Sequence, residues 1–422
     1  MKLEKPKNEN YAVIVTKLVN IIPLENCDNV VGTTLFGLQA IVSKDSQVGD
    51  IGLFIPAESQ LSDKYCYENN LYRHDDKNKN LGEKGYIEDN RRVKAVKFRG
   101  NPSTCLFMPL KSVSWTNVDI SLFKEGDTFD TLNGNQVCQK YFVERVGHLT
   151  GGVAKKEKFT RVESIYLPEN PDTAHFLREV SHLDPNADVI VSQKIHGTSV
   201  RIGNTIVKRK LNLFEKIAKA LGIRVEKTEY DYVYGSRKVI KDINNPNQNH
   251  YYKEDLWTKA GEKLKGLLPQ GYLVYGELVG YTEGGAEIQR DYSYNVPAGE
   301  NELYVYRVAF VNPQGYITSL TWDQMVEFCN NCGLKTVVEL WRGKLKDIKL
   351  DDFLEKRFFE SGYRNALYLG GNMDLVDEGV CIRIEKLEPV IYKAKSQIFL
   401  QHETKILDTG EENLEDNQEV SC

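Results

Sequence analysis

Val189-Ile190-Val191-Ser192-Gln193-Lys194-Ile195-His196-Gly197-Thr198-Ser199 is the stretch on which the fold of this chain turns. Its apolar, β-branched start reads as a buried strand that delivers one lysine to a turn marked by Gly197 and flanked by hydroxyl side chains. A lysine at the end of a strand most often snorkels to solvent and does nothing more. Lys194 takes its meaning from four further β-type segments: Tyr275-Gly276-Glu277-Leu278-Val279-Gly280, Tyr304-Val305-Tyr306-Arg307-Val308-Ala309-Phe310, Glu378-Gly379-Val380-Cys381-Ile382-Arg383 and Val390-Ile391-Tyr392-Lys393-Ala394-Lys395. Each ends in charged residues or alternates with them. In the last, the alternation puts Lys393 and Lys395 on one strand face.

The bulk properties frame these segments. A chain of 422 residues supports two or three domains, and 41 % hydrophobic with 27 % charged residues is the balance of a soluble globular protein. A net charge of −5 does not exclude nucleic-acid binding, because basic residues can gather on one surface. No stretch approaches eighteen uninterrupted apolar residues and the start is polar, so a cytoplasmic protein with no membrane partner is expected. Eight scattered cysteines fit reduced thiols, and the pair Cys329 and Cys332 lacks the further ligands of a zinc site.

The first 145 residues read as an all-β module. Tyr11–Leu18, Val30–Leu35, Leu38–Ser43 and Gly52–Pro56 are strand candidates spaced by turns, which suggests a small barrel. In Arg91 to Gly100, basic and apolar residues alternate, so a strand there presents several cations on one face, for RNA or for solvent. Gly147 to Lys158 reads as a linker, and Asp75 to Gly85 and Asn244 to His250 as loops. Lys208 to Thr228 is helical in pattern, with Leu213, Ile217 and Leu221 among cations that either touch RNA or form a solvated face. From Glu403 the chain turns acidic and polar, as a disordered tail does.

The five ordered segments resemble the covalent nucleotidyltransferase superfamily of polynucleotide ligases and capping enzymes. Its collinear motifs are a nucleophilic lysine, a Gly-Glu strand, an aromatic strand, a Glu-Gly strand and a terminal Lys-x-Lys. The form Lys194-x-His196-Gly197-Thr198 is similar to that of ATP-dependent RNA ligases. The pattern from Val15 to Asp28 and the turn Gly49 to Pro56 resemble the OB-fold domain that opens one branch of those ligases. The resemblance implies an α+β chain: an N-terminal OB-fold β-barrel over 1–145, then an adenylyltransferase domain of antiparallel sheets flanked by helices over 146–402, with the tail at 403–422.

It also implies roles. Lys194 attacks the α-phosphate of ATP and holds AMP; Lys393 and Lys395 contact that phosphate and complete the catalytic set. Gln193, Ile195, Gly197, Arg237, Glu277 and Tyr306 bind the nucleotide, Gln193 at the adenine edge and Tyr306 by stacking. Glu277 and Glu378 hold Mg²⁺ or Mn²⁺, and AMP passes to an RNA 5′-phosphate that is sealed to a 3′-hydroxyl, in RNA repair at nicks. Thr198 and Ser199 extend the nucleophile turn, to bind RNA or to cap it. An amine attacks only when unprotonated, and neutralising an ordinary lysine at pH 7 costs about 4.6 kcal/mol, so neighbouring cations and burial are expected to ease that step.

Two positions depart from the family pattern. Arg307 follows the stacking aromatic where many relatives carry aspartate, and Arg383 ends the fourth motif where lysine is common. A DNA ligase or capping enzyme shares the lysine chemistry but places its barrel after the Lys-x-Lys, and only 27 residues follow Lys395 here. A non-catalytic RNA-binding protein with a degenerate ligase domain would not keep Lys194, Glu277, Glu378, Lys393 and Lys395 together. A monomer acting on RNA is the expectation.

Overall fold

Val13, Ile14 and Val15 are all buried, so the first strand packs on both of its faces. The computed structural model describes residues 3–143, 161–241, 252 and 254–410. The chain divides into two units: 1–144, 174–183 and 394–412 form one, and 145–173, 184–393 and 413–422 the other. Its strands pair antiparallel almost throughout, with few helices among them.

In the first unit β1 (Val13–Lys17), β2 (Val30–Leu35), β3 (Leu38–Ser43) and β4 (Ile51–Pro56) lie close to the expected strands, and β5 (Cys105–Pro109) and β6 (Thr128–Phe129) join them. Four of them form a sheet in the order β5-β4-β1-β6, while β2 and β3 make a hairpin. Val13 and Val15 of β1 join Leu53, Ile55 and Phe129 in one apolar cluster, and Ile14 faces Leu35, Leu38 and Phe54 in another. This is the period-two alternation of a strand applied to two cores.

The last stretch of this unit revises the expected tail. Gln397–Asp408 is a helix whose N-cap, Ser396, accepts a hydrogen bond from the Phe399 amide at 3.4 Å. Phe399, Gln401, Glu403 and Thr404 are buried in it, and Leu400 packs against the Leu35–Phe54 cluster. A tail therefore does not begin at Glu403, because those residues are committed to a packed helix.

The basic stretch from Arg91 is also revised. Only Val96–Phe98 within it is a strand. The Arg92 guanidinium is fully buried and donates to both Glu58 oxygens at 2.5 and 2.8 Å, to Asp408 Oδ1 at 3.0 Å and to the Thr404 carbonyl at 3.1 Å. Lys94 meets Glu88 at 2.6 Å and Asp408 at 2.8 Å. These cations are spent on carboxylates inside the unit, since an unpaired buried charge is far too costly; Lys97 and Arg99 are the exposed ones.

The second unit holds two sheets. β8 (Thr198–Lys208), β9 (Thr228–Ser236), β10 (Tyr272–Gly280), β11 (Asn301–Val311) and β12 (Ile317–Ser319) run in the order β9-β8-β10-β11-β12. β7 (Asp188–Lys194), β13 (Glu339–Lys344), β14 (Gly379–Ile384) and β15 (Val390–Lys395, of which the second unit takes residues up to Lys393) run β15-β14-β7-β13. Leu167, Val207, Val233, Leu273 and Ala309 fill an apolar core behind the first sheet. Three pairings position the functional side chains. Lys194 lies opposite Gly379, Ser199 lies opposite Glu277, and the β10–β11 register shifts so that Tyr275 faces Arg307 while Gly276 faces Val305. Tyr306 is the residue left over in that bulge. The linker expected at 147–158 and the loop at 244–250 lie outside the described residues.

Candidate active site

Six strands bring distant parts of the sequence to one cavity within the second unit. Ser192, Gln193 and Lys194 of β7, Ser199 of β8, Glu277 of β10, Tyr306 of β11, Arg383 of β14 and Lys393 of β15 line it, with Ile195 and Arg237 from the turns and Asn170, Pro171 and Thr173 from a loop. Eight of the residues singled out from sequence thus meet here or beside it: Gln193, Lys194, Ile195, Arg237, Glu277, Tyr306, Lys393 and, through Lys194, Glu378.

The decisive contact is between Lys194 Nζ and Glu378 Oε1, at 2.8 Å. It follows from register: pairing Lys194 with Gly379 sets the residue before that glycine beside the lysine. The Glu378 side chain is fully buried, and its other oxygen lies 3.8 Å from His196 Nδ1. A carboxylate this close favours the ammonium form of the lysine. The expectation that the surroundings ease its deprotonation is therefore not met by this arrangement alone.

The turn after Lys194 is braced from several sides. The His196 amide donates to Tyr294 Oη at 2.7 Å, Gln289 Nε2 donates to the Gly197 carbonyl at 2.8 Å, and Trp257 Nε1 donates to the Ser199 carbonyl at 3.0 Å. Gly197 is required by contact: a Cβ there would sit 2.6 Å from the Leu278 carbonyl oxygen. It shapes the turn and does not line the cavity. Thr198 is fully buried, so its hydroxyl is not presented to RNA, whereas the Ser199 and Tyr306 hydroxyls lie 3.2 Å apart at the cavity wall. The bulge explains how Tyr306 comes to face the cavity, bulges being a usual device for re-aiming a side chain. Burial, and then the charge of Glu277, push its phenol above the ordinary range, so it stays neutral.

Gln193 is placed differently from the expectation. Its Oε1 accepts the Leu367 amide at 2.9 Å and its Nε2 donates to Asp377 Oδ1 at 2.7 Å. Both ends of the side-chain amide have protein partners, which fixes β7 against the 358–377 segment. Asp377 also accepts the Phe358 amide at 2.7 Å. Burial pushes its carboxyl up to about 6, against the lowering effect of those two hydrogen bonds.

Arg237 is ion-paired with Asp172 at the cavity mouth, and Lys238 meets Glu169 at 3.1 Å. Burial raises the Asp172 carboxyl, but Arg237, then Lys238 and Lys393, outweigh it and hold the group below the usual carboxylate range. An acidic loop is thus laid over three cations.

Other expected residues lie elsewhere. Lys395 belongs to the first unit, with its ammonium 3.3 Å from Glu403 Oε1 and 5.1 Å from the centre of the Phe399 ring; it does not line the cavity. Arg383 lines the wall, but its guanidinium donates to Glu385 at 2.9 Å and to the Leu320 carbonyl at 2.7 Å, so phosphate binding is not its service. Arg307 stacks on Tyr275 at 4.9 Å and donates to Ser319 Oγ at 3.0 Å and Asn170 Oδ1 at 3.2 Å, a brace behind the cavity. Among the described residues, no group of three or more His, Cys, Asp or Glu forms a metal nest. Glu277 and Glu378 suit a hard divalent cation that keeps most of its waters and binds mainly through a ligand's phosphates.

Sequence reasoning passed over Asp377, Tyr294, Gln289 and Asp172. Only Asp377 carried a signal, as an acidic neighbour of Glu378; the other three act through long-range contacts that no local pattern announces.

The model of the RNA ligase family matches residues 187–395, from the start of β7 to the end of β15. Those residues belong to the RNA ligase family. Among solved structures, the chain is similar to the RNA ligase of Naegleria gruberi. One variant of that protein, with ATP and Mn, aligns at 14 % identity over 94 % of this chain and 99 % of its own, with a TM-score of 0.58. A second variant, with AMP and Mn, aligns at 14 % over 92 % and 98 %, with a TM-score of 0.58. The same ligase with PPi aligns at 12 % over 94 % and 99 %, again at 0.58. No curated protein sequence matches the chain. At these identities the solved structures speak to the fold. No helix among the described residues is long and apolar enough to cross a membrane.

Proposed function

We propose that this RNA ligase is ATP-dependent, that it carries AMP on Lys194, and that it joins an RNA 5′-phosphate to a 3′-hydroxyl at nicks. The observation that carries the proposal is the 2.8 Å pair of Lys194 and Glu378 at the edge of a cavity that also holds Arg237, Glu277, Tyr306 and Lys393.

Each residue of the cavity takes a separate part of the work. The adenine stacks on Tyr306, the bulged aromatic, and its edge is met by the backbone around Ile195, since the Gln193 amide is already engaged. Arg237 and Lys393 receive the phosphates, which displace Asp172 from Arg237. Glu378 holds Lys194 as an ammonium until the substrate arrives. A divalent cation bound with the triphosphate would be held by Glu277 and Glu378 and would supply charge neutralisation at the phosphates. Lys194 gives up its proton to solvent water and Nζ attacks the α-phosphorus: the N–P bond forms, the bond to the bridging oxygen breaks, and pyrophosphate leaves. Two further in-line displacements complete the cycle. The RNA 5′-phosphate takes AMP from Lys194, and the 3′-hydroxyl then attacks that 5′-phosphate and expels AMP. One pocket serves all three because positioning and charge neutralisation carry most of phosphoryl-transfer catalysis.

The first unit, with its four-stranded sheet and β2–β3 hairpin, is assigned as an OB-type RNA-binding module. Its exposed Lys97, Phe98 and Arg99 fit a single strand, by charge and by stacking. Lys395, held by Glu403, contributes to the ligase chemistry at most through the nucleotide-bound state.

Incubation with α-labelled ATP and Mg²⁺ or Mn²⁺ should leave label covalently on the protein, and Lys194→Ala should leave none. An unlabelled wild type, or a labelled Lys194→Ala, overturns the assignment.

A further inference from the structure

No residue of the insertion between β8 and β9 is among those that line the cavity. Its helix, Leu213–Ala220, opens with a capping box in which Asn212 Oδ1 accepts the Glu215 amide and Glu215 Oε2 accepts the Asn212 amide, at 2.9 and 2.8 Å. Leu213, Ile217 and Leu221 recur every four residues, with Phe214 beside them, so they share one helix face. In a packed domain that face would point inward. Here it points to solvent: Leu213 is 69 % exposed, Phe214 81 %, Leu221 75 %, and Ile217 and the following Ile223 at least half. No residue of the helix is buried.

Charge decides what covers this face. From Lys208 to Lys227 there are seven lysines and arginines against two glutamates, a local charge of +5 on a chain whose total is −5. One of the glutamates, Glu215, is itself neutralised by Arg209. Lys216 and Lys219 stand on the helix face away from the apolar residues, and Lys210 and Arg224 flank its two ends. RNA would satisfy the cations but bury none of the leucines and isoleucines. A second copy of the same helix would cover the apolar residues but bring like charges together. An anionic lipid surface satisfies both at once, taking the apolar side chains into the acyl boundary and the cations at the headgroups.

We infer that residues 209–227 are a peripheral membrane anchor that seats the ligase on anionic bilayers. The expectation of no membrane partner rested on the lack of a spanning stretch, which excludes crossing a bilayer but not lying on one. The inference does not depend on the ligase chemistry.

The full chain should sediment with vesicles of phosphatidylcholine and phosphatidylserine, lose that binding as salt is raised, and remain in solution with phosphatidylcholine alone. Phe214→Glu combined with Ile217→Glu, both at the surface, should lower vesicle binding by about tenfold or more while self-labelling with ATP is unchanged. Lys216→Glu with Lys219→Glu should do the same without touching the apolar face. Failure of the wild type to bind anionic vesicles at low salt overturns the inference. So does vesicle binding that survives either double variant, or light scattering showing that the apolar face instead pairs two copies of the chain.

Discussion

Removing the Glu58 carboxylate should loosen the C-terminal helix by a predictable amount. Arg92 is fully buried and gives Glu58 two of its four hydrogen bonds; Thr404 Oγ1 donates to the same carboxylate at 2.6 Å. Taking one partner from a buried pair costs about 3–5 kcal/mol, because the remaining charge is stranded. Asp408, 40 % exposed and 3.0 Å from the guanidinium, still compensates part of that charge, so Glu58→Ala should fall near the lower end, about 3 kcal/mol. Since about 1.4 kcal/mol is tenfold, amide exchange across 397–408 should quicken by roughly 100-fold. Mass-spectrometric hydrogen exchange on that peptide is the assay. Glu58→Leu with Arg92→Met should recover most of the loss, since apolar residues of similar size often replace a buried pair at little cost. A change in exchange below about threefold in Glu58→Ala, or a double variant as damaged as the sum of its parts, would show that this network does not hold the helix.

Three other outcomes are expected. Glu378→Gln should cut self-labelling by about 100-fold or more at saturating ATP while nucleotide binding, read by equilibrium dialysis, changes by less than about threefold; parallel losses in both would assign the residue to binding instead. Gly197→Ala should disturb the nucleophile turn, because its methyl would lie 2.6 Å from the Leu278 carbonyl oxygen, and both the melting temperature and the labelling rate should fall, by about 1–3 kcal/mol in stability. The Asp377 carboxyl is raised in the folded protein from 3.8 to about 6, so its neutral form favours folding: the contribution is complete below pH 3.8 and is lost as pH rises through about 6. Relative to wild type, Asp377→Asn should therefore gain stability between about pH 4 and pH 6.5, and a difference in melting temperature that stays constant over that window would refute the burial argument.

What the sequence discloses and what it hides divide along a physical line. Strands carrying Lys194, Glu277, Tyr306 and Lys393 are legible because β-branched runs and glycines are local signals, and all four residues do line one cavity. The partnership of Lys194 with Glu378 is not, because it depends on β7 and β14 meeting in one register across a long stretch of intervening chain. The same holds for Gln193, whose amide carries no local sign of its Leu367 and Asp377 partners. Cations in Arg91–Gly100 suggest a surface, yet Arg92 and Lys94 answer to Glu58, Glu88 and Asp408, none of them neighbours in an alternating strand. At the C-terminal end, acidic composition masks a helix because Phe399, Leu400 and Thr404 are too few to stand out among charged residues, though each is placed where the helix meets its core.

The first unit takes in residues 1–144 and yet requires the helix Gln397–Asp408. Residues up to 143 leave the ribosome early, but Arg92 and the Leu35–Phe54 cluster wait for Asp408 and Leu400. At elongation rates of roughly 5–20 residues per second, that interval is on the order of 10–50 s, during which the ligase unit is synthesised in full. A chain cut short before residue 408 therefore lacks the Asp408 partner of the buried Arg92, and one cut before Leu400 also leaves the Leu35–Phe54 cluster without its cover, however sound its catalytic strands.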